Sequence, residues 1–346
     1  MSARTFLIRV DASPIVGSGH FMRMLALGQM LSDHGHVVHY ATIFYTQKFL
    51  EILKAQKFKV HLIAPLFRDN SDVIALVSLA KKINSNWIVV DGCHFSSEYE
   101  KSIKQKVPNV KLMRVEDVPS RHHFADVLLS PNFDSENMIF STESSTIQLL
   151  GLKYLVLRRE FYDAERYPES VPHFNLQKIL VTLGGGTHLS DAANLTIAQA
   201  LKDVEADDLD ITFVAGKMSQ NIKKTRRLLK SRHRLFAHCD NMAELINKAD
   251  IAIVSGGSTM WELMYMGTPF LTIALTKIQD DYLKKMHDKK LCIHLGFFSD
   301  LDPMVAKQSV LNFLNDATLR AEFKKRYSEI FGVQNYSKEL LDVLLS

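Results

Sequence analysis

Apolar positions along the 346-residue chain fall into short continuous runs separated by longer stretches of helical period. Phe6–Val10 is apolar except at Arg9, the pattern of a strand buried on both faces. After a loop of small residues, Phe21, Met24, Leu25, Leu27, Gly28 and Leu31 recur at helical spacing and predict a helix from His20 to about Asp33. His34-Gly35 closes it, because glycine readily takes the left-handed conformation just past a helix end. The rhythm then repeats: strand 37–42, helix 47–56, strand 60–63, helix 72–84 and strand 87–91. Strands at 111–115 and 127–129 complete this half.

Residues 158–176 interrupt the pattern with a polar stretch that holds two prolines and reads as a linker. A strand at 178–183, three glycines at Gly184–Gly186 and a helix over 191–201 then restart the first motif. Strands at 211–215, 251–254 and 270–275 come next, each trailed by a helix, and a tail from Pro303 is helical in pattern with a break at Gly332. Both halves therefore open with strand, glycine-rich loop and helix. The expected architecture is α/β: a Rossmann-like domain at 1–157, a linker at 158–176, and a second Rossmann-like domain at 177–346 with a helical tail. Two such halves form a cleft at the carboxyl edges of their sheets, where open α/β sheets bind ligands. A single large sheet is the alternative.

Composition narrows the function. At 47% hydrophobic and 23% charged, the chain is an ordinary globular one. Forty-two basic against 38 acidic residues leave a net charge of +4, with no concentrated basic stripe of the kind nucleic-acid binding needs. Cys93, Cys239 and Cys292 include no CxxC pair and read as reduced thiols of a cytoplasmic protein. His122-His123 lacks partners at metal-ligand spacing, so neither a metal nor a cofactor is expected. No apolar stretch approaches membrane-spanning length. The basic run at 223–234 reads as a solvated helix face, or else as a peripheral docking face for anionic lipid or acidic glycan.

Three glycine-rich turns carry the candidate chemistry. In Gly17-Ser18-Gly19-His20 the glycines permit a tight turn and close ligand approach, and His20 opens a helix. The positive end of that helix is expected to keep the imidazole neutral, as a general base requires. Packing or capping is the plainer role for His20. Asp11, at the end of the same strand, either orients that imidazole, binds a sugar hydroxyl or makes an Asx-turn. The apolar strand Ala249–Val254 runs into Ser255-Gly256-Gly257-Ser258-Thr259 and a helix, which is an anion site suited to a diphosphate. Glu262, one turn in, is placed to accept from ribose hydroxyls, or else to stabilise the helix dipole. Gln279 and Asp280, leaving the next strand, are candidates for reading sugar hydroxyls. Gly184-Gly185-Gly186 offers further main-chain donors but lacks the GxGxxG spacing of a nicotinamide site.

These residues resemble those of a known family. Arg9-Val-Asp11-Ala-Ser13 with Gly17-Ser-Gly19-His20-Phe-Met-Arg23 is similar to the opening motif of the UDP-sugar hydrolases of pseudaminic acid biosynthesis. Gly151-Leu-Lys-Tyr154 through Phe161, Leu183-Gly184-Gly185, and the stretch from Ala249 through Gly256-Gly257-Ser258-Thr259-Met-Trp261-Glu262 to Gly267-Thr-Pro269 and Gln279 extend the resemblance. It spans about residues 5–300. The second half also looks like the peptidoglycan glucosaminyltransferase. The resemblance implies a GT-B fold, two Rossmann-like domains facing each other across a cleft. It also implies metal-free hydrolysis of UDP-2,4-diacetamido-2,4,6-trideoxy-L-altrose to the free sugar and UDP. His20 would activate the water; the Gly256–Thr259 turn and Glu262 would hold diphosphate and ribose; Arg9, Gly17, Gly19 and Cys93 would lie on the sugar side. Where the family has Asp-x-Tyr and a paired aspartate, this chain has Asp91-Gly92-Cys93 and Glu116-Asp117, and Ser130 replaces an asparagine with Asn132 close by. An inverting glycosyltransferase of the same fold, acting on a glycan, lipid-linked or protein acceptor, is the alternative activity.

Overall fold

The computed structural model describes residues 3–13, 17–63, 71–166, 177–185, 187–202, 204, 209–216, 219–332 and 338–346. Most of the expected linker (167–176), together with Gly186, lies outside them. The described chain forms two compact units: residues 20–159, with those before Gly17 and after residue 333, make the first, and residues 160–332, together with Gly17–Gly19, make the second.

The first unit carries β1 (Thr5–Val10), β2 (Val37–Thr42), β3 (Lys59–Leu62), β4 (Trp87–Asp91), β5 (Lys111–Val115), β6 (His122–His123), β7 (Val127–Ser130), β8 (Ser141–Thr142) and β9 (Ile147–Leu150). Seven of these make one parallel sheet in the order β3-β2-β1-β4-β5-β7-β9, and β6 pairs with β8 apart from it. Helices α1 (Gly19–Asp33), α2 (Gln47–Ala55), α3 (Ser71–Lys82) and α4 (Ser97–Lys106) connect the strands. Leu7, Ile88, Val90 and Leu112 face one side of the sheet and pack against Val73, Leu76 and Val77 of α3 and Tyr99 and Ile103 of α4. Toward α1, the hydroxyl of Tyr40 donates to the carbonyl of Met24 at 2.8 Å. A Cβ at Gly28 of α1 would collide with that same hydroxyl, which is why glycine stands mid-helix there.

The second unit holds α5 (Arg159–Tyr162), whose first residue belongs to the first unit, and then a six-stranded parallel sheet in the order β12-β11-β10-β13-β14-β15. Its strands are β10 (Gln177–Thr182), β11 (Leu209–Val214), β12 (Arg234–Phe236), β13 (Ile251–Ser255), β14 (Phe270–Ala274) and β15 (Ile293–Phe297). Helices α6 (His188–Leu201), α7 (Ile222–Leu228), α8 (Met242–Asn247), α9 (Thr259–Met266), α10 (Lys277–Asp288), α11 (Pro303–Asn315) and α12 (Ala317–Phe331) complete it. The alternative of a single large sheet is not what forms.

In both sheets the strand order reverses between two neighbours, β1/β4 in one and β10/β13 in the other. Connections leave such a pair in opposite directions, so the loops at their carboxyl ends leave room for a ligand. Those loops hold Asp11 and Cys93 in the first unit, with His20 in the first turn of α1, and Gly184, Gly185 and Gly256–Ser258 in the second, with Thr259 opening α9.

Two readings are corrected. The last helix, α13 (Lys338–Leu345), expected in the C-terminal domain, belongs to the first unit. Leu340 and Leu344 are fully buried, Trp87 Nε1 donates to the Leu344 carbonyl at 3.0 Å, and Arg4 Nη1 donates to the same carbonyl at 2.8 Å. The basic run is not one helix: α7 ends at Leu228 and β12 begins at Arg234. Arg226 donates to the carbonyls of His233 and Lys230, Lys230 donates to that of Val204, and Arg234 pairs with Asp210 at 2.7 Å. These three cations satisfy internal acceptors while Lys223, Lys224, Arg227 and Arg232 are exposed, so much of the run is the solvated face expected, although not a single helix. Among the described residues no helix is long and apolar enough to cross a membrane.

The Gly28–Tyr40 contact predicts a coupled pair. Gly28→Ala should cost about 1–3 kcal/mol through overpacking, and Tyr40→Phe about 1 kcal/mol through the lost hydrogen bond. The double variant should cost clearly less than the sum, because removing the hydroxyl relieves the clash. Chemical denaturation giving simple additivity would disprove the contact.

Candidate active site

In the first unit the site grows from α1 and the ends of β4 and β5. His20 and Arg23 lie one turn apart on α1, so both side chains point the same way. They converge on Asp91, the fully buried last residue of β4. His20 Nδ1 is 2.8 Å from Asp91 Oδ1, while Arg23 donates from Nε to Oδ2 at 2.9 Å and from Nη2 to Oδ1 at 2.8 Å. Arg23 Nη1 reaches on to Asp117 Oδ1 at 2.6 Å, and Asn132 Nδ2 donates to the same oxygen at 2.9 Å. A carboxylate only accepts, so Nδ1 of His20 carries a hydrogen toward Asp91 and Nε2 is the atom left for chemistry.

Charge in this cluster is strongly coupled. Burial alone would push the His20 imidazole below its ordinary value, but the Asp91 carboxylate overrides it and raises the group to about 10. Burial opposes ionisation of Asp91 and Asp117, yet the Arg23 guanidinium holds both below the usual carboxylate range. The neutral imidazole expected from the helix dipole is therefore corrected: a full negative charge at hydrogen-bond distance outweighs the partial charge of a helix end.

Cys93 is exposed beside this cluster, and its thiol hydrogen-bonds with His20 and His94, which draw it down to about 6. His94 Nε2 in turn lies 3.1 Å from Asp11 Oδ2. Asp11 is buried and also takes both Arg9 Nη1 at 2.6 Å and Nη2 at 2.8 Å, the Thr42 hydroxyl, and the backbone N–H groups of Ile43 and Phe44. Arg9, equally buried, bridges to Asp72 of α3 at 2.8 Å. Neither can reach a sugar. Asp11 moves from orienting His20 in catalysis, or binding a sugar hydroxyl, to orienting His94, and Arg9 from sugar contact to neutralising Asp11.

The second unit gathers the other candidates. Gly184, with φ of 111° in the left-handed region, lies beside Ser255, because β10 and β13 are neighbours. A Cβ on Gly256 would strike Tyr282 and Gln279 of α10, and the Tyr282 hydroxyl bonds to the Gly256 carbonyl, so the turn is pressed against that helix. Ser258 precedes α9 without capping it through its hydroxyl, and Thr259 is the first helical residue. Glu262 is buried on α9. Gln279 Oε1 accepts from Leu275 N at 2.8 Å, tying α10 to the end of β14. Asp280 is buried, and hydrogen bonds with His294 at 3.0 Å and Lys284 at 2.7 Å hold it well below the carboxylate range. Its carboxylate is already satisfied, so the sugar-reading role is corrected to a structural one.

Sequence reasoning assigned no role to Arg23, His94, Asp117 or Asn132. Arg23 carried a detectable signal, its three-residue spacing from His20; the others come from separate strand ends. Among the described residues no group of histidine, cysteine and acidic side chains is arranged to hold a metal.

Comparisons with known proteins bear on the fold and on the second unit. Residues 179–303 match the glycosyltransferase family 28 C-terminal domain. The chain is 29% identical to an uncharacterised protein of Methanocaldococcus jannaschii, over 85% of this chain, and spans 62% of that protein's length. It is 25% identical to the UDP-2,4-diacetamido-2,4,6-trideoxy-beta-L-altropyranose hydrolase of Campylobacter jejuni, over 79% of this chain and 93% of that one. MurG of Acinetobacter baumannii superposes with a TM-score of 0.66 at 16% identity, covering 98% of both chains. The spinosyn rhamnosyltransferase SpnG does so at 0.70 and 14%, covering 99% of this chain and all of the other. The protein has the GT-B fold and is glycosyltransferase-like, with distant homology to a UDP-sugar hydrolase.

If Asp91 raises the imidazole, Asp91→Asn should bring the His20 midpoint from about 10 to below 7 in an NMR titration. A midpoint still above 9 would remove Asp91 as the cause.

Proposed function

We propose that the protein is an enzyme that hydrolyses a UDP-sugar, releasing UDP and the free sugar in the synthesis of a diacetamido-trideoxy (nonulosonic acid) precursor. The observation that carries this reading is the His20–Asp91–Arg23 arrangement at the switch point of the first sheet. The hydrolase relative supports the substrate class. In the reaction, a water oxygen attacks the anomeric carbon and passes its proton to His20 Nε2. The bond from that carbon to the diphosphate oxygen breaks, and its electron pair leaves with UDP. Asp91 fixes the tautomer and stabilises the imidazolium that forms, as a buried carboxylate does for a histidine base elsewhere. Gly184, Gly185 and the Gly256–Thr259 turn hold the diphosphate through main-chain donors, and Glu262 takes the ribose hydroxyls. Gly17, Gly19, Cys93 and Gln279 are the candidates for contact with the sugar.

Transfer to an acceptor hydroxyl is the second reading, favoured by the match of residues 179–303 to a glycosyltransferase domain. Incubating the protein with UDP-2,4-diacetamido-2,4,6-trideoxy-L-altrose and other UDP-sugars, with no acceptor, separates the two. Release of UDP and free sugar is expected; release only when an acceptor is added would establish transfer instead.

His20→Ala should abolish turnover and leave UDP affinity nearly intact. With its imidazole raised to about 10, His20 is mostly protonated at neutral pH, and the base form grows about tenfold per pH unit below that value. Hydrolysis by a His20 base should therefore accelerate from pH 7 to 9. A rate that falls over this range would make His20 a proton donor. Glu262→Ala should weaken UDP binding by about 1–3 kcal/mol, measured calorimetrically; unchanged affinity would end the ribose assignment.

A further inference from the structure

The loop that delivers Asp91, Cys93 and His94 is gripped from below by charges that the proposed reaction does not use. Arg114, fully buried on β5, donates from Nη2 to the Gly92 carbonyl at 2.9 Å and to Glu116 Oε2 at 2.9 Å. Arg121 donates from Nη2 to the Cys93 carbonyl at 3.1 Å and from Nη1 to the Phe95 carbonyl at 2.6 Å. Its Nε lies 3.8 Å from the same Glu116 Oε2. The other Glu116 oxygen accepts from the backbone N–H of Asp117 at 3.1 Å. One buried carboxylate thus links the arginines holding the carbonyls of residues 92, 93 and 95 to the residue that takes Arg23 Nη1.

The loop needs such a grip. Gly92 has φ of 148°, and a Cβ there would meet the rings of His94 and Phe95, so the backbone turns sharply immediately after Asp91. Glycine takes that conformation without strain but takes many others as readily, so the direction of the turn is set by its contacts rather than by the residue. Glu100 supplies the second counter-charge to Arg114, with its Oε1 3.4 Å from Arg114 Nε and 3.0 Å from His123 Nδ1, so the buried guanidinium sits between two carboxylates.

We propose that Arg114, Glu116 and Arg121 are positioning residues, a clamp that sets the Asp91–His94 loop and Asp117 so that Asp91 and Arg23 hold His20 in register. The proposal rests on His20 as the acid–base group of the site, and is tested first without any reaction. The charged and titratable groups facing His20 are Arg23 from its own helix, Asp91 and Cys93 from the clamped loop, and Asp117 from the end of β5.

The experiment is an NMR titration of His20 in the parent chain and in Glu116→Gln, Arg121→Met and Lys104→Met. Glutamine keeps the length of the side chain but presents one acceptor oxygen where two are needed. Arg121 is partly exposed, so its variant folds even if Glu116→Gln does not, and it then decides alone. In each clamp variant the His20 midpoint should fall by at least one pH unit, a tenfold loss in proton affinity, because Asp91 is no longer held in place. Lys104→Met, which breaks an ion pair with Asp126 elsewhere in the same unit, should leave it unmoved. A folded clamp variant with the parental midpoint overturns the proposal. So does an equal shift in Lys104→Met. Where the parent turns over a UDP-sugar, the clamp variants should lose kcat at least tenfold with KM within about twofold. A parent that turns over none refutes the proposed reaction, while the titration still decides the clamp.

Discussion

Everything in the first unit's site depends on a carboxylate with no access to water. Asp91 ends a central strand and is fully enclosed, so its charge is tolerable only because Arg23 and His20 surround it. Enclosure forces α1 to present a cation and an imidazole on one face, and makes the imidazole far more basic than a solvent-exposed one. It also recruits Asp117 to balance the remaining charge of Arg23. Removing either partner would strand an ion in the interior, so site geometry and fold stability are parts of one constraint.

The same solution appears twice along the sheet edge. Arg9-Val10-Asp11 ends β1 and Arg114-Val115-Glu116 ends β5, each pairing an arginine with the acid two residues on, across the same face. Each arginine also meets a carboxylate from a covering helix, Asp72 from α3 or Glu100 from α4. The first pair anchors Asp11 and through it His94; the second reaches the loop from Gly92 to Phe95. His94 thus rests on one buried ion pair through Asp11 and on the other through the backbone of its own loop.

Much of this fold was legible from apolar runs, because strands covered on both faces leave a nearly continuous hydrophobic signature. The glycine-rich turns were legible too, since Gly184 needs the left-handed region and Gly256 lies hard against α10. Elements without an apolar signature were not. Helix α4 is largely charged and buries only Tyr99, Glu100 and Ile103, and β12 is three residues long. In the site, His20 was readable from its place after two glycines, whereas Asp91, Asp117 and Asn132 become its neighbourhood only through strand order, which no local spacing encodes. Arg9 misled for the opposite reason: a strand-end arginine looks like a ligand contact until Asp72, more than sixty residues later, turns out to enclose it.

The placement of α13 has a consequence for synthesis. Trp87 Nε1 and its acceptor on Leu344 are 257 residues apart, with all of the second unit but Gly17–Gly19 between them. On the ribosome the second unit is complete before the first receives its final helix, although the first begins to emerge earlier. At translation speeds of about 5–20 residues per second, the indole and the apolar seat of Leu340 and Leu344 stay uncovered for on the order of ten seconds or more. During that interval the early half of the chain is the half that needs protection from aggregation.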